Sequence, residues 1–246
     1  MSKARDTWVD LYWLDVSRIE AAAHARLAGL LSAHERIRSA QIAHDGERAL
    51  FIAGRALSRI LLARDARCHP EEVTLRITPA GRPVADGAAS FSLSHSGTTV
   101  ALALAPFAAI GIDFEPTRTG ACDQLAPTIC TAAERSALAR LSGADRDRRF
   151  MQIWRLKEAY LKATGLGFLQ DPTRCGLDLH DLPDIEQTPD AAGQIVWRED
   201  GWGFAQWRLC QGLCLALAIQ PGINGVAQIR DPQDASDVLT HALDLR

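Results

Sequence analysis

The pattern of hydrophobic and polar positions along this 246-residue chain changes period several times. From about Asp45 to Arg64, Leu50, Ala53, Leu57, Ile60 and Leu61 recur at three- and four-residue spacing, which predicts an amphipathic helix. A second helix is predicted from about Ala144 to Thr164, with Phe150, Ile153, Trp154 and Leu161 on one side. Gly165 and Gly167 follow it, where a helix ending favours left-handed backbone. Thr131 and Glu134 read as a capping box that starts a shorter helix before Leu138 and Leu141. After the first long helix come strand-like runs at Val73–Ile77, Ser90–Ser94, Thr99–Ala105 and Ile110–Phe114, separated by Gly-Arg-Pro, Ser-Gly and Pro-Phe breaks. After the second come Gln194–Arg198, Phe204–Cys210 and Cys214–Ile219.

A long helix followed by short strands, occurring twice, predicts an α+β fold of two similar halves. Each half is expected to be a long helix packed on a small, mostly antiparallel sheet. The expected boundaries are 1–110, 111–225 and a C-terminal extension at 226–246. Pro183–Ala192 reads as a loop, and the polar, weakly patterned tail from Pro221 as a peripheral extension.

Composition narrows the class. With 47% hydrophobic and 23% charged residues the chain can bury a substantial core, and a net charge of −3 gives no nucleic-acid footprint. No apolar run approaches the roughly 20 residues that span a bilayer, and the N-terminus has no signal-peptide pattern. The six cysteines are scattered without a Cys-x-x-Cys, so neither a disulfide framework nor a zinc site is expected. The expectation is a soluble cytoplasmic protein with reduced thiols, no membrane and no nucleic-acid partner.

Three segments carry candidate chemistry. In Gly111-Ile112-Asp113-Phe114-Glu115-Pro116, strand alternation turns Asp113 and Glu115 to one face while Ile112 and Phe114 enter the core. Two like charges side by side invite a hard cation such as Mg²⁺ with oxygen ligands. Taken alone, the motif is better read as a solvated strand end before a Pro-containing turn. In Trp154-Arg155-Leu156-Lys157-Glu158-Ala159-Tyr160-Leu161-Lys162, helical spacing sets Glu158 beside the packed face. A carboxylate there needs a cationic partner, either a metal or Lys162 one turn away. In Phe91-Ser92-Leu93-Ser94-His95-Ser96, alternation turns Ser94 and His95 to opposite faces, which argues against a serine–histidine nucleophile. The absence of Gly-x-Ser-x-Gly argues the same way. Those residues are either phosphate ligands or a structural histidine and its neighbours.

Together the Leu-Ser-His-Ser, Gly-Ile-Asp-x-Glu and Trp-x-x-Lys-Glu-Ala-x-x-Lys-x-x-Gly segments resemble the phosphopantetheinyl transferase superfamily. Length and two-half layout are similar to its surfactin-synthetase-activating type, a monomer whose active site lies at the interface of the halves. The resemblance implies transfer of the phosphopantetheine arm of coenzyme A to a serine of an apo acyl, peptidyl or aryl carrier protein, leaving 3′,5′-ADP. It implies Mg²⁺, with Mn²⁺ as an alternative, held by Asp113, Glu115 and Glu158. Arg48, Arg82, Ser94, His95, Lys157 and Lys162 would contact coenzyme A, and Arg36 or Arg38 would approach its 3′-phosphate. Lys162 would also stabilise the leaving pyrophosphate oxygen, and Glu158 would take the serine proton directly or through a cation-bound water. Glu134 is divided between the metal shell and its capping box, and Ala121–Leu141 is the expected carrier-protein contact. The competing readings are a Mg²⁺-dependent hydrolase of nucleotide pyrophosphates and a silent relative that only binds.

Overall fold

The computed structural model describes residues 7–86, 89–105, 109–167, 170–209, 212–220 and 227–244. Cys210, the Pro-Phe break at 106–107 and the start of the tail at Pro221 lie outside them. In chain order the elements are β1 (Thr7–Asp15), α1 (Ala21–Gly29), α2 (Ala33–Ala40), α3 (Asp45–Ala66), β2 (Leu75–Ile77), β3 (Pro83–Ala85), β4 (Ser90–Ser96), β5 (Thr99–Ala105) and β6 (Ala109–Pro116). There follow α4 (Ala121–Ile129), α5 (Ala132–Leu138), α6 (Gly143–Thr164), β7 (Val196–Trp197), β8 (Gly203–Arg208), β9 (Leu213–Gln220), β10 (Ala227–Ile229), β11 (Gln233–Asp234) and α7 (Ser236–Asp244). The chain divides into Met1–Ala108 with Val226–Arg246, and Ala109–Gly225. The mixed α+β class is the expected one.

In the first unit, β1 is flanked by β5, antiparallel, and by β10 and β11, both parallel, with β4 beyond β5. Helix α3 buries Ala53, Leu57, Ile60 and Leu61 in a core shared with Leu14, Val100 and Leu102. The tail, expected as a peripheral extension, instead adds two strands to β1 and buries Ala235, Leu239 and Leu243 in that core. Strands of two or three residues carry no periodicity of their own, so only pairing defines them. The strand expected at Val73–Ile77 is shorter, Leu75–Ile77, and forms a separate hairpin with β3.

The second unit is an antiparallel sheet in the order β6-β9-β8-β7, with α6 packed across β6 and β9. Phe150, Ile153, Leu156, Ala159 and Ala163 of α6 form its core with Phe204, Ala216 and Ala218. Gly165 ends α6 with φ +73°, a left-handed geometry that a side chain would strain. Thr131 and Glu134 form the expected capping box of α5, the hydroxyl accepting from Glu134 N at 3.2 Å and the carboxylate from Thr131 N at 2.7 Å. No helix among the described residues is long and apolar enough to cross a membrane.

Candidate active site

The site begins with a close approach of strand and helix. A Cβ at Gly111 would lie 1.9 Å from the backbone oxygen of Ala159 and 2.5 Å from the nitrogen of Ala163. Both obstacles are backbone, so only glycine lets β6 lie directly against α6. Asp113 and Glu115 follow at two-residue steps on the same strand, so they share the glycine's face. Glu158 and Lys162 immediately precede Ala159 and Ala163 on α6. The contact that forbids a side chain at 111 therefore sets the register of the two strand acids against the acid and the lysine of the helix.

The Lys162 ammonium donates to Asp113 Oδ1 at 2.7 Å. It thus serves the buried strand carboxylate across the gap, and is more than a helical neighbour of Glu158. Glu115 accepts from Arg118 at 2.8 Å and from the Trp154 side chain. Below it the buried Arg155 donates to the Glu115 backbone oxygen at 3.4 Å and to Thr117 Oγ1 at 3.3 Å, anchoring the end of β6. Burial, and next the charge of Asp113, push the Glu158 carboxyl up from an ordinary 4.5 to about 7; Lys162 opposes the rise and Glu115 adds to it. Burial and Asp113 likewise raise Glu115, against the pull of Arg118, Lys162 and the Trp154 hydrogen bond. Asp113 pushes both Glu115 and Glu158 upward, which marks three acids sharing one patch.

Among the described residues, no three His, Cys, Asp or Glu side chains already converge as a metal cage. The donor set nevertheless suits a hydrated hard cation. It is all oxygen, it is deficient in positive charge, and Mg²⁺ ordinarily takes only one or two carboxylates, completing its shell with water and phosphate.

Other candidates divide between settled structural partners and open positions. Lys157 is fully buried, donating to Glu134 at 2.7 Å and to Ile129 O at 2.8 Å. The other Glu134 oxygen accepts from Leu177 N at 2.8 Å. The expectation that Lys157 contacts coenzyme A is corrected by this placement: its ammonium is committed to an internal ion pair that ties α5, α6 and the chain at Leu177 together. For Glu134 the capping role prevails, since both oxygens are engaged by protein donors. The described cysteines are free thiols, with burial pushing Cys130 up to about 12 and Cys175 to about 11, well above nucleophilic range.

The family model of the 4′-phosphopantetheinyl transferase superfamily (ACPS) matches residues 109–218, which hold the whole β6–α6 cluster. The chain is 34% identical over 215 residues to a phosphopantetheinyl transferase of Thraustochytrium sp., covering 81% of this chain and 73% of that one. It is 33% identical over 147 residues to the 4′-phosphopantetheinyl transferase HetI of Nostoc sp., covering 57% of this chain and 62% of HetI.

This chain belongs to the 4′-phosphopantetheinyl transferase superfamily. It is accordingly an enzyme, and the β6–α6 acids lie within the stretch that the family model matches.

The transferase's remaining candidate residues lie in the first unit. Arg82 donates to the Phe91 backbone oxygen on β4 at 3.0 Å, and burial lowers its pKa. Ser94, buried, and His95, exposed, alternate on that same strand, so the structure gathers Arg82, Ser94 and His95 around β4. Arg48 sits in the first turn of α3, paired with Asp45 and donating to Ile42 O at 3.0 Å. Arg36 and Arg38 are exposed on α2, Arg36 donating to Leu31 O at 2.6 Å. Three contributors escaped sequence reading: Arg118, Arg155 and the hydrogen bond of Trp154. Arg118 has a faint local signal, standing three residues beyond Glu115 past Pro116. Arg155 looks like a surface residue until its burial is seen.

Proposed function

We propose that this transferase moves the 4′-phosphopantetheine arm of coenzyme A onto a serine hydroxyl of an apo acyl, peptidyl or aryl carrier protein, releasing 3′,5′-ADP. Mg²⁺ is the metal, with Mn²⁺ able to replace it. The enzyme is of the surfactin-synthetase-activating type, working as a cytoplasmic monomer, a reading that its two α+β units support. The observation that carries the proposal is the Asp113–Lys162 ion pair beside a Glu158 carboxyl held near 7.

In this scheme Asp113, Glu115 and Glu158 hold the metal. When bound, it neutralises charge on the pyrophosphate oxygens and orients the group under attack. The serine oxygen bonds to the β-phosphorus of coenzyme A while the bond to the bridging oxygen breaks, leaving 3′,5′-ADP with that oxygen. Transfer of this kind depends on positioning and charge neutralisation. Lys162, its side chain 31% exposed, is able to turn from Asp113 toward the departing oxygen. Glu158 accepts the serine proton, directly or through a cation-bound water. Arg48, Arg82, Ser94 and His95 are assigned to coenzyme A phosphates and nucleotide, and Ala121–Leu141 to carrier-protein contact. Exchanging that segment with a relative's is expected to change which carrier is preferred.

The test is incubation with coenzyme A, Mg²⁺ and a panel of apo carrier proteins, read by intact mass. A gain equal to the phosphopantetheine arm that vanishes with EDTA is the expected result. Coenzyme A consumed without any modified carrier would overturn the transfer reading in favour of hydrolysis.

A further inference from the structure

Glu115 already carries a protein cation at its side chain. Arg118 Nη2 lies 2.8 Å from Glu115 Oε2. Glu115 keeps only 21% of its side chain exposed, whereas Arg118 is 56% exposed on the solvent side. The pairing is thus made at the open rim of the acidic patch, on a carboxylate whose other anchors come from inside the fold. Trp154 donates to the Glu115 side chain, and Arg155 fixes its backbone oxygen. Deeper in the patch, Lys162 plays the corresponding part for Asp113. Two of the three acids therefore carry a protein cation, and the two differ in consequence. Lys162 sits within the reacting cluster, while Arg118 is placed outside it and belongs to none of the three motifs.

We propose that Arg118 is a displaceable counter-ion that sets the affinity of the enzyme for its divalent cation. It holds Glu115 in the metal-free state and must release that oxygen before the cation takes it. The inference rests on the metal assignment of Glu115 above. The pair is exposed and single, so its weight is small, and losing it is expected to tighten cation binding roughly two- to fivefold. An exposed pair is also screened by salt, whereas a packing role is not.

The test counts free Mn²⁺ by electron paramagnetic resonance while MnCl₂ is titrated into the full chain without coenzyme A. Wild type, Arg118→Ala and Arg118→Lys are compared at low and at roughly 0.5 M salt, where the Debye length falls to a few ångströms. Expected is tighter binding by Arg118→Ala at low salt, a gap that narrows at high salt, and a return toward wild type in Arg118→Lys. Arg118→Ala binding Mn²⁺ equally or more weakly than wild type would overturn the counter-ion role and leave the metal assignment standing. Absence of Mn²⁺ binding in all three proteins would overturn both. A gap indifferent to salt would also overturn the proposal, since it would point to packing.

Discussion

Replacing Glu158 by glutamine tests the electrostatics of the acidic patch without needing a substrate. In the metal-free fold this carboxyl titrates near 7 instead of its ordinary 4.5, chiefly through burial and then through Asp113. A raised folded-state value means that the native protein binds a proton the unfolded chain has released. Stability must therefore fall as pH climbs from about 4.5 to about 7, and level off above. Each tenfold in proton affinity is worth about 1.4 kcal/mol, which caps the loss at roughly 3.4 kcal/mol. Glu158 is only partly buried and solvent screens its neighbours, so a realistic cost is about 1–2 kcal/mol. Glutamine keeps the shape and removes the charge. In EDTA, Glu158→Gln is expected to be more stable than wild type by about that amount at pH 8.5, and to lose the advantage near pH 4.5. Urea denaturation at several pH values measures both, and the difference between the two proteins cancels titrations that they share. A gain that is absent at pH 8.5, or equal at both ends of the range, would refute the argument.

Further outcomes follow from the same contacts. Gly111→Ala forces a methyl group into the backbone of α6 and is expected to cost about 1–3 kcal/mol or more in urea denaturation, with transfer activity falling as the acids lose register. Lys157→Met leaves Glu134 buried without its cation and is expected to destabilise by about 3–5 kcal/mol; pairing it with Glu134→Gln should recover part of that loss, measured as a double-mutant cycle. Lys162→Ala removes the partner of Asp113 and the proposed leaving-group stabiliser. A drop of about 10²–10³ in kcat with a folded, cooperative unfolding transition is the expected result, and unchanged kcat would remove Lys162 from the chemistry. Asp113→Asn is expected to abolish the stimulation of transfer by Mg²⁺, followed by carrier-protein mass at increasing metal concentration.

Much of this enzyme was decided by local sequence. The periodicities of α3 and α6 locate both long helices to within two residues of their ends, and Thr131 with Glu134 starts α5 where the capping box requires. Strand alternation alone turns Asp113 and Glu115 to one face, and helical spacing puts Glu158 and Lys162 one turn apart. Those are period rules, and they need no partner. What no local rule supplies is the partner itself. That Lys162 bonds Asp113, 49 residues away, follows from β6 lying against α6 at Gly111, whose missing side chain matters only because Ala159 and Ala163 stand opposite. Lys157 and Lys162 look alike in the motif, yet one is sealed into an ion pair with Glu134 and the other faces the acids. The helix turns them to different sides, and what lies on each side is tertiary. The same holds for the tail. Strands of two or three residues are too short to carry a pattern, so β10 and β11 exist only because β1 offers an edge for them to pair with.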